Sequence, residues 1–323
     1  PNLRNLPSHH TLVLVNGKRR HRSALVALGG DGTQGPDVAT IPAAALESIE
    51  VLRDGASAQY GSDAIAGVIN FNLRENREGG SIRVDTGEFF EGDGFQTTVQ
   101  GNIGLPLGEK GFLSISGEFT DQEFSERANQ YCTGSFCIDN PSTAPGNPNN
   151  IAGGLSDADI VNSPRYQAAI AGASVEGQNV QPWGQPNSEA LRLFYNAGYE
   201  LSDSTELYSF GNYSESKGDG SFFHRFPGNS VLSDRRLEDG SRFNPAFNET
   251  GSGPNFAAGF TPRFEGEVSD LSFIGGARGE TDGGFIWDAS VRYGSSEIDY
   301  RLFNTYNPSL GPDSPTDFKP GDL

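Results

Sequence analysis

Methionine is absent from the chain, cysteine occurs twice and histidine four times. Pro1 stands where an initiator or mature N-terminus would be expected, and Leu323 follows a loop-like run from Pro308 to Asp322. The chain is therefore expected to be a fragment truncated at both ends, and the lack of a visible signal peptide says nothing about localisation. Long apolar runs are missing too: hydrophobic residues make up 35% and mean hydropathy is −0.48. A membrane helix needs roughly 20 consecutive apolar residues, so helical spans are excluded. Strands of a membrane barrel are not, because they hide their apolar half by alternation. Positive charge is scarce, with 23 Lys and Arg against 42 Asp and Glu, a net of −19. Residues 1–80 are balanced at eight of each sign, so the whole excess lies beyond them. That excludes nucleic acid as a partner bound through phosphate neutralisation and reads as solubility of long polar loops.

The scarce chemistry-bearing residues form no catalytic or metal pattern. Cys132 and Cys137 sit in a Gly/Asn/Pro-rich stretch with no further Cys or His nearby. They read as a small loop disulfide in an oxidising compartment rather than a metal site or free thiols. His9, His10 and His21 have no carboxylate or Cys at ligand spacing, so no metal is expected. Gly30-Asp31-Gly32-Thr33-Gln34-Gly35 has the GxGxxG spacing, but that motif must open a helix after a strand. Pro36 follows at once and Pro42 soon after, so the glycines read as exposed-loop residues. No cofactor is implied, and no GxSxG, HExxH or paired-cysteine motif occurs. The expectation is that the protein is not an enzyme.

Glycine (43) and phenylalanine (22) are plentiful, and the chain has two grammars. Residues 11–73 read as a compact α/β segment. Thr11 to Val15 is a buried strand ending at the turn pair Asn16-Gly17. The basic run Lys18 to Arg22 and a glycine-rich loop from Gly29 to Gly35 follow. Pro42 opens a short helix, Ala43 to Glu47; Ser48 to Leu52 is a strand, Arg53-Asp54-Gly55 a turn, and Val68 to Leu73 another strand. Arg53, at the edge of a packed element, needs carboxylate partners.

From residue 81 the pattern is alternation. Phe95, Thr97, Val99, Gly101 and Ile103 oppose Gln96, Thr98, Gln100 and Asn102. Leu113, Ile115, Gly117 and Phe119 oppose Ser114, Ser116 and Glu118. Leu191, Leu193, Tyr195, Ala197 and Tyr199 oppose Arg192, Asn196 and Glu200, with Phe194 an exception. Trp287, Ala289, Val291 and Tyr293 oppose Asp288, Ser290 and Arg292. Each run suffices for a tilted membrane strand. Turns at 91–94, around 202–204 and at 281–284 are short, whereas the connections after Phe124 and after Lys217 run to roughly 50–60 residues, beyond ordinary loops. Short turns on one rim and long loops on the other is the outer-membrane barrel pattern, although the short connection near Pro106 to Lys110 breaks its phase. About seven strands are expected. The competing reading is a secreted β-sandwich; aromatics such as Phe124, Tyr213 and Tyr293, taken as lying near strand ends, argue for the barrel.

The segment from Ile49 to Phe71, IEVLRDGASAQYGSDAIAGVINF, resembles the plug signature of TonB-dependent outer-membrane receptors. Thr11 to Gly17, TLVLVNG, is similar to the plug strand of the siderophore and vitamin B12 receptors of that family. The resemblance covers about 60 residues. It implies a mostly β fold: a partial transmembrane antiparallel β-barrel preceded by a small, partial α/β plug domain. Residues 1–78 would be the later part of the plug, and residues 79–323 the first strands of a barrel that has 22 in the family. Implied partners are the TonB energy-transducing complex, outer-membrane lipid and a small nutrient ligand. The implied function is active uptake across the outer membrane of a Gram-negative bacterium, with a lean toward ferric siderophore over cobalamin or oligosaccharide.

Carried over by position, Gly55, Gly61 and Gly67 would allow tight plug turns, and Tyr60 and Val68 would be plug core. Arg53 would latch the plug to barrel-wall glutamates on strands beyond this chain. The outward plug loop, Arg19 to Gly35, would help bind ligand, with Arg19, His21, Thr33 and Gln34 as candidates. The alternatives are a passive or structural outer-membrane barrel, for which a plug has no use, and a secreted nucleotide-binding enzyme resting on the glycine motif. As a piece, the chain is expected to transport nothing by itself.

Overall fold

The computed structural model describes residues 3–26, 32–53, 57–128, 180–225, 229–232, 235–236, 242–243 and 259–322. Gly55, Cys132 and Cys137 lie outside them.

The N-terminal unit is built on a four-stranded sheet. Strands β1 (Thr11–Val15), β2 (Lys18–Arg19), β3 (Leu46–Leu52) and β4 (Gly67–Leu73) lie in the order β2-β1-β4-β3. The Asn-Gly pair turns β1 into β2 because both residues take positive φ, 46° and 74°, the requirement of a tight hairpin turn. Strand β1 pairs parallel with β4 and all five of its residues are buried, so it reads as an unbroken apolar run. Leu12 and Leu14 pack with Ala64, Val68 and the half-buried Tyr60. Gly61 and Gly67 have φ of 87° and 141°. At Gly67 a Cβ would lie 2.5 Å from the Leu52 carbonyl oxygen.

The helix expected over Ala43 to Glu47 is instead a single 3-10 turn, Ala43–Ala45, and β3 begins at Leu46. Arg74 N–H donates to the Ala45 carbonyl and Leu46 pairs with Leu73, so strand pairing captures the residues that a second helical turn would need. Gln34 of the glycine motif forms an isolated antiparallel bridge with Val26, and Gly30 and Asp31 of the motif lie outside the described residues. No helix follows among residues 32–40, as Pro36 requires.

The second unit is an antiparallel meander. Strands β5 (Gly80–Gly87), β6 (Gln96–Leu107), β7 (Gly111–Gln122), β8 (Ser188–Ser202) and β9 (Thr205–Ser221) pair in sequence order. After a two-strand pair on the long connection, β10 (Arg235–Arg236) with β11 (Arg242–Phe243), the meander resumes with β12 (Arg263–Glu280), β13 (Ile286–Phe303) and β14 (Asp317–Asp322). The sheet therefore has eight described strands rather than about seven. Part of the run expected to be loop, Pro308 to Asp322, supplies β14, which pairs with β13 across a register shift.

The meander also settles the phase of the connections. The turn around 91–94 stands on the same rim as the long connections, touching residues 124–127 through Gly94 N–H to the Phe124 carbonyl. The turn at 108–110 joins those around 203–204 and 281–285 on the other rim. The first hairpin loop is simply short, and the alternation of rims is unbroken.

Register places the odd-numbered residues of β6, β7, β8, β9, β12 and β13 on one face. That face exposes Ile103, Leu105, Ile115, Phe119, Leu191, Leu193, Leu207, Leu271, Phe273 and Val291. Tyr213 and Tyr293 lie in mid-strand rather than near strand ends, and above their level the same face turns charged, with Glu215, Lys217, Glu265, Glu267, Glu297 and Arg301. The opposite face buries polar side chains, among them Asn102, Ser114, Ser116, Asn196, Asn212, Ser214, Asp270 and Ser272. A soluble sheet does the reverse. An exposed apolar band with a polar inner face is what lipid outside and protein or water inside demand.

Candidate functional site

The polar face of the wall receives the N-terminal unit, and their seam is the candidate functional site. Its apolar centre joins Val15, Ile41, Ala45 and Leu73 to Phe194, Phe210 and Ile274 of the wall. Phe194 breaks its strand's alternation for this reason: it is a buried contact, 3% exposed, in an otherwise polar row.

Around that centre the seam is hydrogen-bonded. Asn16 Nδ2 donates to Asn196 Oδ1 at 3.3 Å, and Asn196 Nδ2 donates to the Arg74 carbonyl at 3.0 Å. Asn76 Nδ2 donates to Asn102 Oδ1 at 2.9 Å and Ser114 Oγ donates to Asn76 Oδ1 at 2.8 Å. Short amides and hydroxyls on the wall answer the orphan groups where β4 leaves its sheet, which buried polar groups require.

The strongest single tie is Arg20. Its side chain and that of Asp270 are 3% and 2% exposed, with 2.5 Å between Nη2 and Oδ1. Arg20 also donates to Asn212 Oδ1 at 2.6 Å, Ser272 Oγ at 2.8 Å and Thr40 Oγ1 at 3.0 Å. His21 Nε2 lies 2.7 Å from the other Asp270 oxygen. Burial holds the Arg20 guanidinium below its ordinary value, with the Asp270 carboxylate opposing that shift. A planar guanidinium suits this multiply bonded, buried position. A second tie stands nearer the short-turn rim. Lys18 Nζ lies 2.8 Å from Asp288 and 5.4 Å from the centre of the Tyr208 ring, while Tyr208 donates to Asp288 at 2.6 Å. Burial draws the Lys18 ammonium down, but its hydrogen bonds to Asp288 and Tyr208 leave it raised overall. A cleft of about 660 Å³ opens beside this tie, lined by Asn16, Lys18, Glu206, Tyr208, Arg278 and Asp288.

The residues singled out from the sequence divide among these features. Arg19 pairs with Asp63 and reaches the Tyr60 carbonyl at 3.3 Å, bracing its own unit. His21 is part of the seam. Thr33 Oγ1 lies 2.7 Å from His9 Nδ1, and Gln34 Nε2 donates to the Ala24 carbonyl at 3.3 Å. Arg19, His21 and Gln34 line one cleft on the flank of β1 and β2; Thr33 does not. Arg53 is exposed beyond β3 and has no ion pair among the described residues. Arg20, which the sequence shows only as part of the basic run Lys18 to Arg22, makes a buried contact with Asp270 of the wall. One signal lay in the sequence: Asp270 falls at an inward position of a strand whose outward positions are Leu271 and Phe273.

Residues 1–68 match the family described as TonB-dependent Receptor Plug Domain, so the resemblance read from the sequence is borne out. Over 132 residues the chain is 31% identical to the iron-regulated outer membrane virulence protein of Vibrio cholerae, covering 40% of this chain and 20% of that protein. Over 111 residues it is 37% identical to the probable TonB-dependent siderophore receptor PirA of Acinetobacter baumannii, covering 32% and 15%. Over 77 residues it is 46% identical to the vitamin B12 transporter BtuB of Vibrio vulnificus, covering 24% and 11%. The chain thus matches about a fifth or less of the length of these relatives.

Proposed function

We propose that this chain is the plug and first wall strands of a TonB-dependent receptor that takes up a scarce nutrient across the bacterial outer membrane. In this reading residues 1–78 are plug and 79–323 barrel wall. The observation that carries it is the pairing of a plug-family globule with a sheet that is apolar outside and polar where the globule sits. Lipid solvates the exposed leucines and phenylalanines, and the plug fills the polar interior. Further strands are needed to pair the free edges of β5 and β14, because lipid tolerates no unpaired edge.

Active uptake follows from the seam. A plug fixed by Arg20 to Asp270 and Lys18 to Asp288 obstructs the interior, so passage needs work supplied from the inner membrane through TonB. The cargo is read as a ferric siderophore ahead of cobalamin: siderophore and vitamin B12 receptors both stand among the relatives, and the relative matched over 132 residues is named as iron-regulated.

The test is uptake by an outer-membrane receptor carrying this chain, expressed in a strain lacking its own siderophore and cobalamin receptors. Accumulation of one of a panel of iron-59 siderophores, lost on deletion of TonB or on adding a protonophore, is expected. Uptake indifferent to both treatments would favour a passive barrel instead.

A further inference from the structure

The flank of the plug beside β1 and β2 holds a second cleft of about 660 Å³, bounded on its far side by Arg292 and Gly294 of the wall. Its lining is strongly basic in a chain whose net charge is −19. Arg19, Arg20, Arg22 and Arg292 all contribute; Arg19 is held by the one lining carboxylate, Asp63, and Arg20 by Asp270 behind it, which leaves the charges of Arg22 and Arg292. Arg22 is exposed and makes no ion pair or hydrogen bond among the described residues. Among the described residues, Arg292 is engaged only by its donation to the Arg19 carbonyl at 3.2 Å.

Two buried donors on the lining also lack acceptors. Among the described residues, Thr11, 2% exposed, leaves its hydroxyl unbonded, and Arg20, 7% exposed, leaves Nε unbonded although its other nitrogens are fully used. Buried polar groups are nearly always satisfied, and the exceptions call for an absent partner. Here both exceptions can donate, both belong to residues that line one cleft, and the charge of that lining is mostly positive. An acceptor-only, negatively charged group answers all three conditions.

We propose that this cleft is an oxyanion site, binding a carboxylate or phosphate group of the solute that the receptor imports. The cargo assignment rests on the receptor reading given above; the binding does not. Guanidinium forks match the two oxygens of such groups in plane, and the low-dielectric floor formed by Leu12 and Val13 strengthens the attraction. The site gives a physical role to Arg22, which makes no contact that braces or latches the plug among the described residues, and to Arg292, whose one bond to the plug is to a backbone carbonyl. It also reconciles an acidic exterior with an anionic cargo, because the capturing charge is held inside.

The experiment is isothermal titration of the purified receptor carrying this chain, in detergent, with citrate and pyrophosphate as probes and maltose as the neutral control. Both anions are expected to bind and maltose to give no heat. The double variant R22Q/R292Q, altered at two exposed positions, should weaken anion binding at least about tenfold, as losing two charge-assisted contacts implies. Its melting temperature without anion should be unchanged. Arg22→Gln alone should give an intermediate loss and serves if the double variant is unstable. Absence of anion binding by the native receptor, or equal affinity in R22Q/R292Q, would overturn the proposal. Titration involves no TonB, so a receptor that binds anions through these arginines yet takes up nothing in an energised cell would refute the transport reading alone.

Discussion

At the scale of single residues, a few side chains decide whether the plug stays seated. Arg20 and Asp270 are each buried within reach of the other, and breaking such a pair from one side costs more than the pair contributes when intact. Asp270→Ala would leave the guanidinium with hydroxyl and amide partners only, at a cost of about 3–5 kcal/mol. Hydrogen exchange of the β1 and β2 amides in the intact receptor should accelerate accordingly; unchanged exchange would mean that the tie holds nothing. Gly67 is constrained differently. Its φ of 141° and the 2.5 Å between a built Cβ and the Leu52 carbonyl oxygen admit no side chain without moving the junction of β3 and β4. Gly67→Ala should destabilise the plug by roughly 1–3 kcal/mol, seen as earlier protease cleavage within residues 46–73. The sequence signature singles out Gly67. It did not single out Arg20, whose importance depends on a wall residue 250 positions away.

At the scale of elements, pairing overrode local preference twice. Ala43 to Glu47 has good helical composition behind a proline, yet β4 draws Leu46 into β3. Part of a proline- and glycine-rich run became β14 because the edge of β13 was available. Period-two alternation, by contrast, survived in β6, β7, β8 and β13 with Phe194 of β8 as the noted exception, since one face meets lipid and the other meets protein or water along the strand. The rim loops carry a titratable tie of their own. Arg127 Nη1 and the Glu126 N–H both donate to Asp93 Oδ2 at 2.6 Å, joining the β5–β6 loop to the start of the next long connection. The hydrogen bond from Arg127, with that from Glu126 behind it, holds the Asp93 carboxyl below its ordinary value of 3.8. A depressed folded-state value means that the tie is fully present above the ordinary value and is lost as pH falls through the lower one. Protection of the Glu126 amide should therefore be flat from neutrality to about pH 4 and decline only below it. In Asp93→Asn the decline should vanish; a native profile that already falls near pH 6 would contradict this account.

At the scale of the whole molecule, the arrangement is a polar-faced wall whose interior is filled by a globule tied at two heights. Lys18 with Asp288 and Arg20 with Asp270 engage different wall strands, β13 and β12, so neither alone fixes the plug's orientation. Removing both anchors with K18Q/R20Q should loosen the plug without touching the lipid face. A receptor so altered is expected to admit polar solutes without TonB, with entry several-fold above the native level in an antibiotic-sensitivity or dye-entry assay. Permeability equal to the native level would assign the seating of the plug to the apolar centre around Phe194, Phe210 and Ile274 instead.

The sequence alone determined the two grammars, the lipid-compatible alternation and the plug signature, because each is written in neighbouring residues and needs no knowledge of what lies opposite. Phe194 looked like an error in its row, and only the packed structure revealed it as the wall's contact with the plug. The same holds for the partner of Arg20, the phase of the rims and the basic cleft: each joins residues far apart in the chain. Those pairings follow from strand register and from where the globule comes to rest, and local pattern carries no information about either.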